Sequence, residues 1–220
     1  MKIVCISDVH TYMNRLEIEE CDMLLCAGDI SYRGKLNEVR AFLDWFEVQP
    51  AKYKVFIAGN HDFLFEKDPE VARALLKSYP DIIYLENSSV EIEGIKIWGS
   101  PWTPWFHNWA FNAYPKKLRS IWSQIPDDAD IVMTHGPAVG ILDKTEREGE
   151  HVGCLWLLKN IQRIKPKLHV FGHIHECHGQ QKEGSTLHIN AANCTLAYGR
   201  KPLNPVITVE FEKENIELPA

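Results

Sequence analysis

Seven side chains of metal-binding type stand just after short apolar runs in this sequence, and they include two carboxylates, four imidazoles and one amide. They are Asp8, His10, Asp29, Asn60, His135, His173 and His175. Seven such groups are too many for one four-coordinate zinc ion that keeps an open position. The mixture of imidazole, carboxylate and amide favours manganese, iron, zinc, cobalt or nickel over calcium. The set therefore predicts two divalent transition-metal ions that share a bridging carboxylate.

The chemistry that suits such a pair of ions is phosphoryl transfer. Two divalent ions about 3.5–4 Å apart can hold the attacking and leaving oxygens of a phosphoryl group. Their charge outweighs that of Asp8, Asp29 and a bridging hydroxide, so the centre would attract an anion without added lysines. A phosphate ester is the substrate that this charge balance favours.

Five apolar runs are predicted to position these side chains. They are short, continuous and bounded by Gly, Asp or His, which is typical of strands buried on both faces. The runs cover residues 3–7, 23–27, 55–58, 131–134 and 168–171. Helical patterns lie between them, and alternating β and α units predict a parallel sheet. Because ligands of open α/β sheets bind at the carboxyl ends of the strands, the seven side chains should meet in one crevice.

Two further stretches, residues 82–98 and 185–218, alternate like strands joined by turns such as Glu93-Gly94 and Glu214-Asn215. They predict additional strands at the margins of the sheet or in a second sheet. Composition marks no boundary or linker, so we expect residues 1–220 to form a single α/β domain.

Charge and hydropathy exclude several classes of protein. Lys and Arg number 24 against 30 Asp and Glu, a net charge of −6, and no basic stripe favours nucleic-acid binding. No apolar run reaches the roughly 18–20 residues of a membrane helix. The apolar run at the first residues is too short for a signal peptide. We expect a cytoplasmic protein whose six cysteines, without a Cys-x-x-Cys, are buried thiols. The oligomeric state stays open.

The motifs together resemble the calcineurin-like metallophosphoesterase superfamily over nearly the whole chain. The series is Asp8-x-His10, Gly28-Asp29, Gly59-Asn60-His61-Asp62, Thr134-His135-Gly136 and Gly172-His173-x-His175. Residues 99–106, 134–137 and 165–172 further resemble the metallophosphoesterase-domain-containing proteins, which are related to class III cyclic-nucleotide phosphodiesterases. Some animal members carry Gly in place of the first His of the last motif. His173 is present here, so both metal positions are expected to fill.

The resemblance implies a four-layer αββα sandwich in which helices flank two mixed β-sheets. It implies a first ion held by Asp8, His10, Asp29 and His175, and a second held by Asp29 as the bridge, Asn60, His135 and His173. Mn²⁺ is the ion expected first. A metal-bridging hydroxide would attack phosphorus, and His61 would protonate the leaving alkoxide or stabilise the transition state. Asp62 is predicted to orient His61, although another carboxylate could do so.

Candidate substrate contacts come from an aromatic segment and from single residues elsewhere in the chain. Trp98, Trp102, Trp105 and Trp109 lie in one segment with Phe106 and Phe111. That segment is either a core cluster or a rigid loop, stiffened by Pro101 and Pro104, that stacks a nucleobase. Asn60, His61, Arg33, Trp105 and His151 are the predicted substrate-binding residues, with His107 a weaker candidate. His169, His178 and His188 are taken as structural or surface residues.

The leading interpretation is a phosphodiesterase for a small organic phosphate, with cyclic and other nucleotides as candidates. A nuclease or a phosphomonoesterase of the same superfamily would keep the chemistry and change the substrate. A phosphoprotein phosphatase is disfavoured because residues 28–34 lack that branch's second aspartate. A metal-binding scaffold without activity is the alternative from another class, although such relatives tend to lose ligands and this sequence keeps all seven.

Overall fold

A computed structural model describes residues 1–146, 149–200, 202–212 and 216–217. Its strands are β1 (Lys2–Ile6), β2 (Cys21–Cys26), β3 (Ala51–Phe56), β4 (Ile82–Tyr84), β5 (Ser88–Ile92), β6 (Ile95–Ser100), β7 (Thr103–Pro104), β8 (Asn112–Ala113), β9 (Ile131–Thr134), β10 (Leu168–Phe171), β11 (Gly179–Glu183), β12 (Thr186–Asn190), β13 (Ile207–Phe211) and β14 (Ile216–Glu217). Its α-helices are α1 (Leu36–Glu47), α2 (Phe63–Lys67), α3 (Pro69–Leu76), α4 (Pro115–Trp122) and α5 (Leu155–Ile164).

The strands form two large mixed sheets and one small ribbon. The first sheet has the order β14-β13-β1-β2-β3-β4, and the second has the order β11-β12-β10-β9-β6-β5. In the first sheet β1 to β4 are parallel, whereas β13 runs antiparallel to β1. In the second sheet β6, β9, β10 and β12 are parallel between two antiparallel edge strands. Strands β7 and β8 pair with each other.

Both faces of each sheet are covered, because successive side chains of a strand point to opposite faces. In β1, Ile3 and Cys5 join the core between the two sheets, whereas Val4 and Ile6 join the core beneath the helices of the first sheet. In β9, Ile131 faces the first sheet while its neighbour packs outward. Strands that are apolar on both faces must be covered on both faces. The two sheets and the helices outside them therefore form four layers.

Three apolar cores separate the four layers. The outer core of the first sheet takes Phe42 and Phe46 from α1 and residues from α2 and α3. The outer core of the second sheet takes Trp122 from α4 and Leu157 from α5. The central core consists of strand residues from both sheets. The predicted four-layer αββα sandwich with two mixed sheets is confirmed.

The predicted strands and the observed ones differ mainly at their ends. The runs at 131–134 and 168–171 match β9 and β10, whereas the first three observed strands begin earlier and end one or two residues sooner. The sequence did not predict α2, and Pro104, assigned to a rigid loop, lies in the two-residue β7. The predicted turn at Glu214-Asn215 lies outside the described residues.

Five of the six cysteines are buried free thiols, and Cys177 is half-buried. Burial raises the pKa of the Cys5 thiol and that of the Cys26 thiol well above the ordinary value. Within the described part of the chain, no helix is both long and apolar enough to cross a membrane.

Candidate metal centre

The carboxyl ends of five parallel strands deliver the seven predicted ligands to one edge of the sandwich. The loops after β1, β2 and β3 carry Asp8, His10, Asp29 and Asn60, and the loops after β9 and β10 carry His135, His173 and His175. Backbone hydrogen bonds tie these loops together, including Asp8 N–H to Gly28 O at 2.9 Å and Gly172 N–H to His135 O at 2.9 Å. The first sheet therefore supplies all the oxygen ligands, and the second supplies imidazoles alone.

Three donor groups converge where the first ion is predicted. Asp8 Oδ1 lies 3.2 Å from His175 Nε2 and 4.0 Å from His10 Nε2. The two imidazole Nε2 atoms are 3.2 Å apart. All three side chains are buried, and their ligand atoms lie within 4.8 Å of one another.

A second group converges around His135. Its Nε2 atom lies 2.9 Å from Asn60 Oδ1 and 3.3 Å from Asp29 Oδ1. Asp8, Asp29 and His135 offer ligand atoms within 4.8 Å of one another. Asn60, Asp29 and His135 are three of the four ligands predicted for the second ion, and Asp8, predicted for the first ion, also lies close to this group.

Asp29 lies between the two groups. Its Oδ1 atom faces His135 Nε2, and its Oδ2 atom lies 3.7 Å from His10 Nε2. The backbone N–H of His61 also donates to Asp29 Oδ1 at 2.8 Å, which fixes the carboxylate. One oxygen toward each group is the arrangement that a bridging carboxylate needs.

His173 is the ligand that has converged least. Its backbone N–H donates to Asp8 Oδ2 at 2.9 Å, but its half-buried ring lies 5.0 Å from the His135 ring and 5.3 Å from the Phe106 ring, centre to centre. Among the described residues, it belongs to none of the groups whose ligand atoms lie within 4.8 Å.

Hydrogen bonds set the tautomers of two ligands. Nδ1 of His135 lies 2.9 Å from Ala27 O, and Nδ1 of His10 lies 3.2 Å from Ser31 O. A carbonyl oxygen only accepts, so each Nδ1 carries the proton. Each Nε2 atom is then directed into the centre and is the nitrogen that a metal ion would bind once it carries no proton.

The residues present fit a pair of divalent ions. Asp8 Oδ1 is buried and finds no hydrogen-bond partner within the described chain, although buried carboxylate oxygens are normally satisfied. It lies against imidazole nitrogens whose lone pairs point the same way, so a cation is the missing partner of the group. The donor set of nitrogen and oxygen atoms suits manganese, iron, zinc, cobalt or nickel.

The protein's own charges keep most ligands in their binding form. Burial lowers the pKa of His10 to about 4 and that of His173 to about 3, so both rings are neutral at pH 7. Burial alone would raise the pKa of Asp8 and of Asp29, but the adjacent His175 and His135 imidazoles hold both below their usual range. Burial lowers the pKa of His135 as well, yet the Asp29 charge and hydrogen bond raise it to about 9.

The ligand loops are backbone-strained. Asp8, His10, Asp29 and His173 all have positive φ, between 42° and 70°, a region that residues other than Gly rarely adopt. Gly172, just before His173, lies so close to Asp8 Oδ2 and Ser7 that a Cβ atom would overlap them. Four of the seven predicted ligands therefore have a strained backbone.

His61 lies beside the centre, and a hydrogen bond fixes the orientation of its ring. Its Nδ1 atom lies 2.8 Å from Tyr32 O, and its Nε2 atom lies 4.0 Å from Asp29 Oδ2. The Tyr32 carbonyl therefore orients the His61 ring, which is the role that the sequence predicted for Asp62. The Asp62 carboxylate instead accepts hydrogen bonds from Gly59 N–H, Ile30 N–H and the Ser31 amide and hydroxyl groups. It joins the Asp29 loop to the Asn60 loop, and burial together with the Asp29 charge raises its pKa to about 6.

Four aromatic side chains form the rim of the centre. The Trp109 ring stacks on His61 at 4.3 Å, and the Phe106 ring lies against His173. Tyr198 lies 5.0 Å from the His10 ring and 5.7 Å from Tyr32, which is 41% exposed. The sequence identified the segment that holds Phe106 and Trp109 but did not single out either ring, and it overlooked both tyrosines. We call Tyr32, Phe106, Trp109 and Tyr198 the aromatic rim.

The other predicted substrate contacts lie farther out. Trp105 is exposed and stacks on Tyr114, while exposed Arg33 extends over the Tyr32 ring at 5.9 Å. The Nδ1 atom of His151 pairs with the buried carboxylate of Asp143 at 2.6 Å, and His107 is exposed beside Phe106. Among these four, Arg33 and His107 contact the rim, and all four remain predictions as substrate ligands.

A chain of buried polar groups supports the His135 turn from behind. His188 Nδ1 lies 3.1 Å from His169 Nδ1, and His169 Nε2 lies 2.9 Å from the Thr134 hydroxyl. That hydroxyl donates to Gly136 O at 2.7 Å, so it must accept from His169. The two histidines, taken from the sequence as structural residues, therefore hold the backbone on both sides of His135.

Comparison with known proteins agrees with this geometry. A model of the calcineurin-like phosphoesterase family matches residues 1–177. The human protein named Metallophosphoesterase domain-containing protein 1 is 37% identical over 96% of this chain and 71% of its own length. A UPF0046 protein of Caenorhabditis elegans is 34% identical over 88% of this chain and 70% of its own.

Solved structures share the fold at low identity. A protein of Thermus thermophilus superposes with a TM-score of 0.60 at 13% identity, covering 86% of this chain and 88% of that one. A structure described as a novel archaeal phosphodiesterase gives a TM-score of 0.52 at 16% identity, covering 99% and 98%. At these identities the likeness concerns the fold alone.

Proposed function

We propose a reaction from one premise: the chain belongs to the calcineurin-like phosphoesterase family. Membership implies a metal-dependent hydrolase of phosphoric esters. The further proposal is that this chain hydrolyses phosphodiesters of small organic phosphates, with nucleotides among the candidates, and uses two divalent ions. The observation that carries it is the convergence of two buried donor groups on a shared Asp29.

The proposed ligands of the first ion are Asp8, His10, Asp29 and His175, and those of the second are Asp29, Asn60, His135 and His173. Mn²⁺ is the ion we favour. When bound, such a pair of ions supplies an activated water nucleophile and neutralises charge that develops on the phosphoryl oxygens.

The chain's own side chains are proposed to orient and to move a proton. Asp29, fixed by the His61 N–H, sets the spacing of the two donor groups. His61 keeps its Nδ1 proton on Tyr32 O, which leaves Nε2 as the atom that exchanges a proton with the leaving oxygen. Positioned acids of this kind typically contribute ~10²–10⁴-fold. Asn60 and His61 are also proposed to contact a phosphoryl oxygen of the substrate.

The aromatic rim supports an ester with an organic group on each side of the phosphate. Four rings line the approach to the centre, and ring faces bind flat organic groups better than they bind water. Arg33, Trp105 and His151 are proposed as outer contacts. One structural neighbour is described as a phosphodiesterase, although it shares only the fold. A cytoplasmic location stays a prediction.

The test is hydrolysis of bis(p-nitrophenyl) phosphate by metal-stripped protein, with and without added Mn²⁺. We expect nitrophenol release that depends on Mn²⁺ and exceeds the release from p-nitrophenyl phosphate, a monoester. The Asp29→Asn variant, purified in the same way, controls for contaminating phosphatases.

Each alternative predicts a different result. Faster hydrolysis of the monoester would support a phosphomonoesterase, and steeply salt-dependent DNA binding would support a nuclease. Two bound ions without turnover of either ester would support a metal-binding scaffold and contradict the proposed activity.

A further inference from the structure

The His61 ring is held on three sides. Trp109 stacks on one face with the ring centres 4.3 Å apart and the planes 26° apart. The His10 ring meets it at 4.6 Å in an edge geometry, at 71°. The Tyr32 carbonyl fixes the rotation of the ring through Nδ1 at 2.8 Å. Of these three neighbours, Trp109 is the one that is neither a proposed metal ligand nor a backbone group.

Trp109 is itself fixed to the loop that it supports. The N–H of Ala110, the next residue, donates to Asn60 O at 3.1 Å. The N–H of Phe111 donates to Glu66 Oε1 at 3.0 Å, which ties the same segment to α2. The indole is also half-buried, with the Phe63 and Phe106 rings near it. Because one bond separates the anchor at Asn60 from His61, the indole and the imidazole keep a fixed relation.

We propose that Trp109 is a positioning residue that holds His61 in the orientation needed to protonate the leaving oxygen. This role rests on the proposed function of His61. A proton donor must lie within hydrogen-bond reach of the leaving oxygen, and a displacement of about 1 Å can cost ~10²-fold in rate. Without the indole, the ring could tilt about its hydrogen bond to Tyr32 O into the space beside the rim.

The effect of Trp109 should depend on the leaving group, because only some leaving groups need a proton. As the oxygen of water bonds to phosphorus, the P–O bond to the leaving group breaks and its electron pair remains on the leaving oxygen. An alkoxide then takes the Nε2 proton of doubly protonated His61, which leaves a neutral ring with its Nδ1 proton on Tyr32 O, whereas p-nitrophenolate is stable enough to depart as an anion. Loss of correct positioning should therefore slow esters with alkoxide leaving groups and spare those with p-nitrophenolate.

The experiment compares p-nitrobenzyl methyl phosphate with p-nitrophenyl methyl phosphate, which differ by one methylene, on the Mn²⁺-loaded protein. We expect Trp109→Ala to lower kcat for the benzyl ester about 10- to 100-fold, with a much smaller change in KM. The phenyl ester should lose less than about threefold. Trp109→Phe, which keeps a stacking ring, should recover most of the loss. Trp156→Ala removes a half-buried tryptophan of α5 and should change neither ester.

A double mutant separates positioning from direct substrate contact. If Trp109 acts through His61, the variant that combines Trp109→Ala with His61→Ala is no slower on the benzyl ester than His61→Ala alone. Equal losses on both esters, an effect on KM alone, or multiplying losses in the double mutant would overturn the proposal.

A spectroscopic readout does not depend on turnover. A ring proton stacked over an indole face is shielded, so in the metal-stripped protein the His61 Cε1–H resonance should lie upfield and move downfield in Trp109→Ala. If the resonance is unchanged in Trp109→Ala while wild-type turnover is normal, the result contradicts the role of Trp109 and leaves the proposed function standing. A wild-type protein that hydrolyses neither ester contradicts the proposed function, and with it this role.

Discussion

The two halves of the metal centre differ in how far the protein's own side chains have converged. In the first half, Asp8, His10 and His175 already offer ligand atoms within 4.8 Å of one another, and all three are buried. In the second half, Asn60 and His135 are in contact, but among the described residues the half-buried His173 ring joins none of the groups whose ligand atoms lie within 4.8 Å of one another.

The difference follows from what holds each ligand. The Asp8 and His10 side chains are buried, and their backbone N–H groups donate to Gly28 O and Asp29 O, so the fold itself builds the first half. His173 is anchored through its backbone N–H to Asp8, and its half-buried ring makes no hydrogen bond that is seen among the described residues. A preorganised site binds an ion more tightly than one that must first order a side chain. We therefore expect the first ion to bind more tightly than the second.

The largest effect should come from the residue that the halves share. Asp29→Asn removes the bridging charge while keeping the shape of the side chain. Bound metal should fall toward zero, and turnover should fall by at least ~10³-fold. Metal analysis of the dialysed protein measures the first quantity. Full binding of two ions by this variant would sink the assignment of Asp29 as the bridge.

The next pair of variants separates the halves. His175→Ala should remove the tightly bound ion, because it deletes a ligand from the preorganised group. His173→Ala should spare that ion, remove the weaker one and lower turnover ~10²-fold or more. Isothermal titration with Mn²⁺ resolves the two binding steps. If His173→Ala abolished both steps, the halves would not be separable.

Metal affinity should depend on pH because His135 must give up a proton, and the pKa of His175 is also raised, by the adjacent Asp8 carboxylate. The pKa of His135 is about 9, so its ring carries a proton at pH 7, and a metal ligand must be neutral. Falling pH therefore weakens binding in the second half, by up to ~10-fold per pH unit for one displaced proton. His10, with a pKa of about 4, needs no such step. Isothermal titration with Mn²⁺ in buffers of different ionisation enthalpy counts the protons released. An Mn²⁺ affinity that stays the same between about pH 6 and pH 8 would contradict this prediction.

The smallest effect should come from the chain behind His135. His169→Leu removes the donor to the Thr134 hydroxyl, which holds the backbone beside the ligand. Groups that support a metal ligand from behind typically contribute 10–100-fold in affinity, and we expect the lower end, ~10-fold, for the second ion alone. His169→Gln keeps an N–H donor and should restore most of the affinity. An equal loss in both halves would indicate a general loosening of the fold.

Much of the fold was accessible from sequence because buried parallel strands are continuous apolar runs. The cores of β9 and β10 were predicted to the residue, since Gly or His ends each run sharply. Strand β7 was not, because Pro101 and Pro104 favour a loop and a two-residue pairing leaves no periodic pattern. Helix α2 was missed because five residues are too few for helical periodicity to be recognised.

The convergence of the seven proposed ligands was predictable because carboxylates and imidazoles directly after buried strands have few structural reasons to be there. The aromatic rim was not, because aromatic side chains serve cores and binding sites equally well. Trp98 packs in the core against Trp122, Trp105 stacks on Tyr114, and Trp109 stacks on His61, although all three come from one segment. Sequence spacing does not record which loop residue turns inward, and the role of the Tyr32 carbonyl leaves no side-chain signature at all.

The most direct test of a two-ion centre with unequal halves is a titration of Mn²⁺ into the stripped protein. Bound metal and turnover of bis(p-nitrophenyl) phosphate are recorded on the same samples. We expect the first ion to bind tightly without turnover and activity to rise with the second, weaker ion. Full turnover with one ion bound per chain would contradict a two-ion centre.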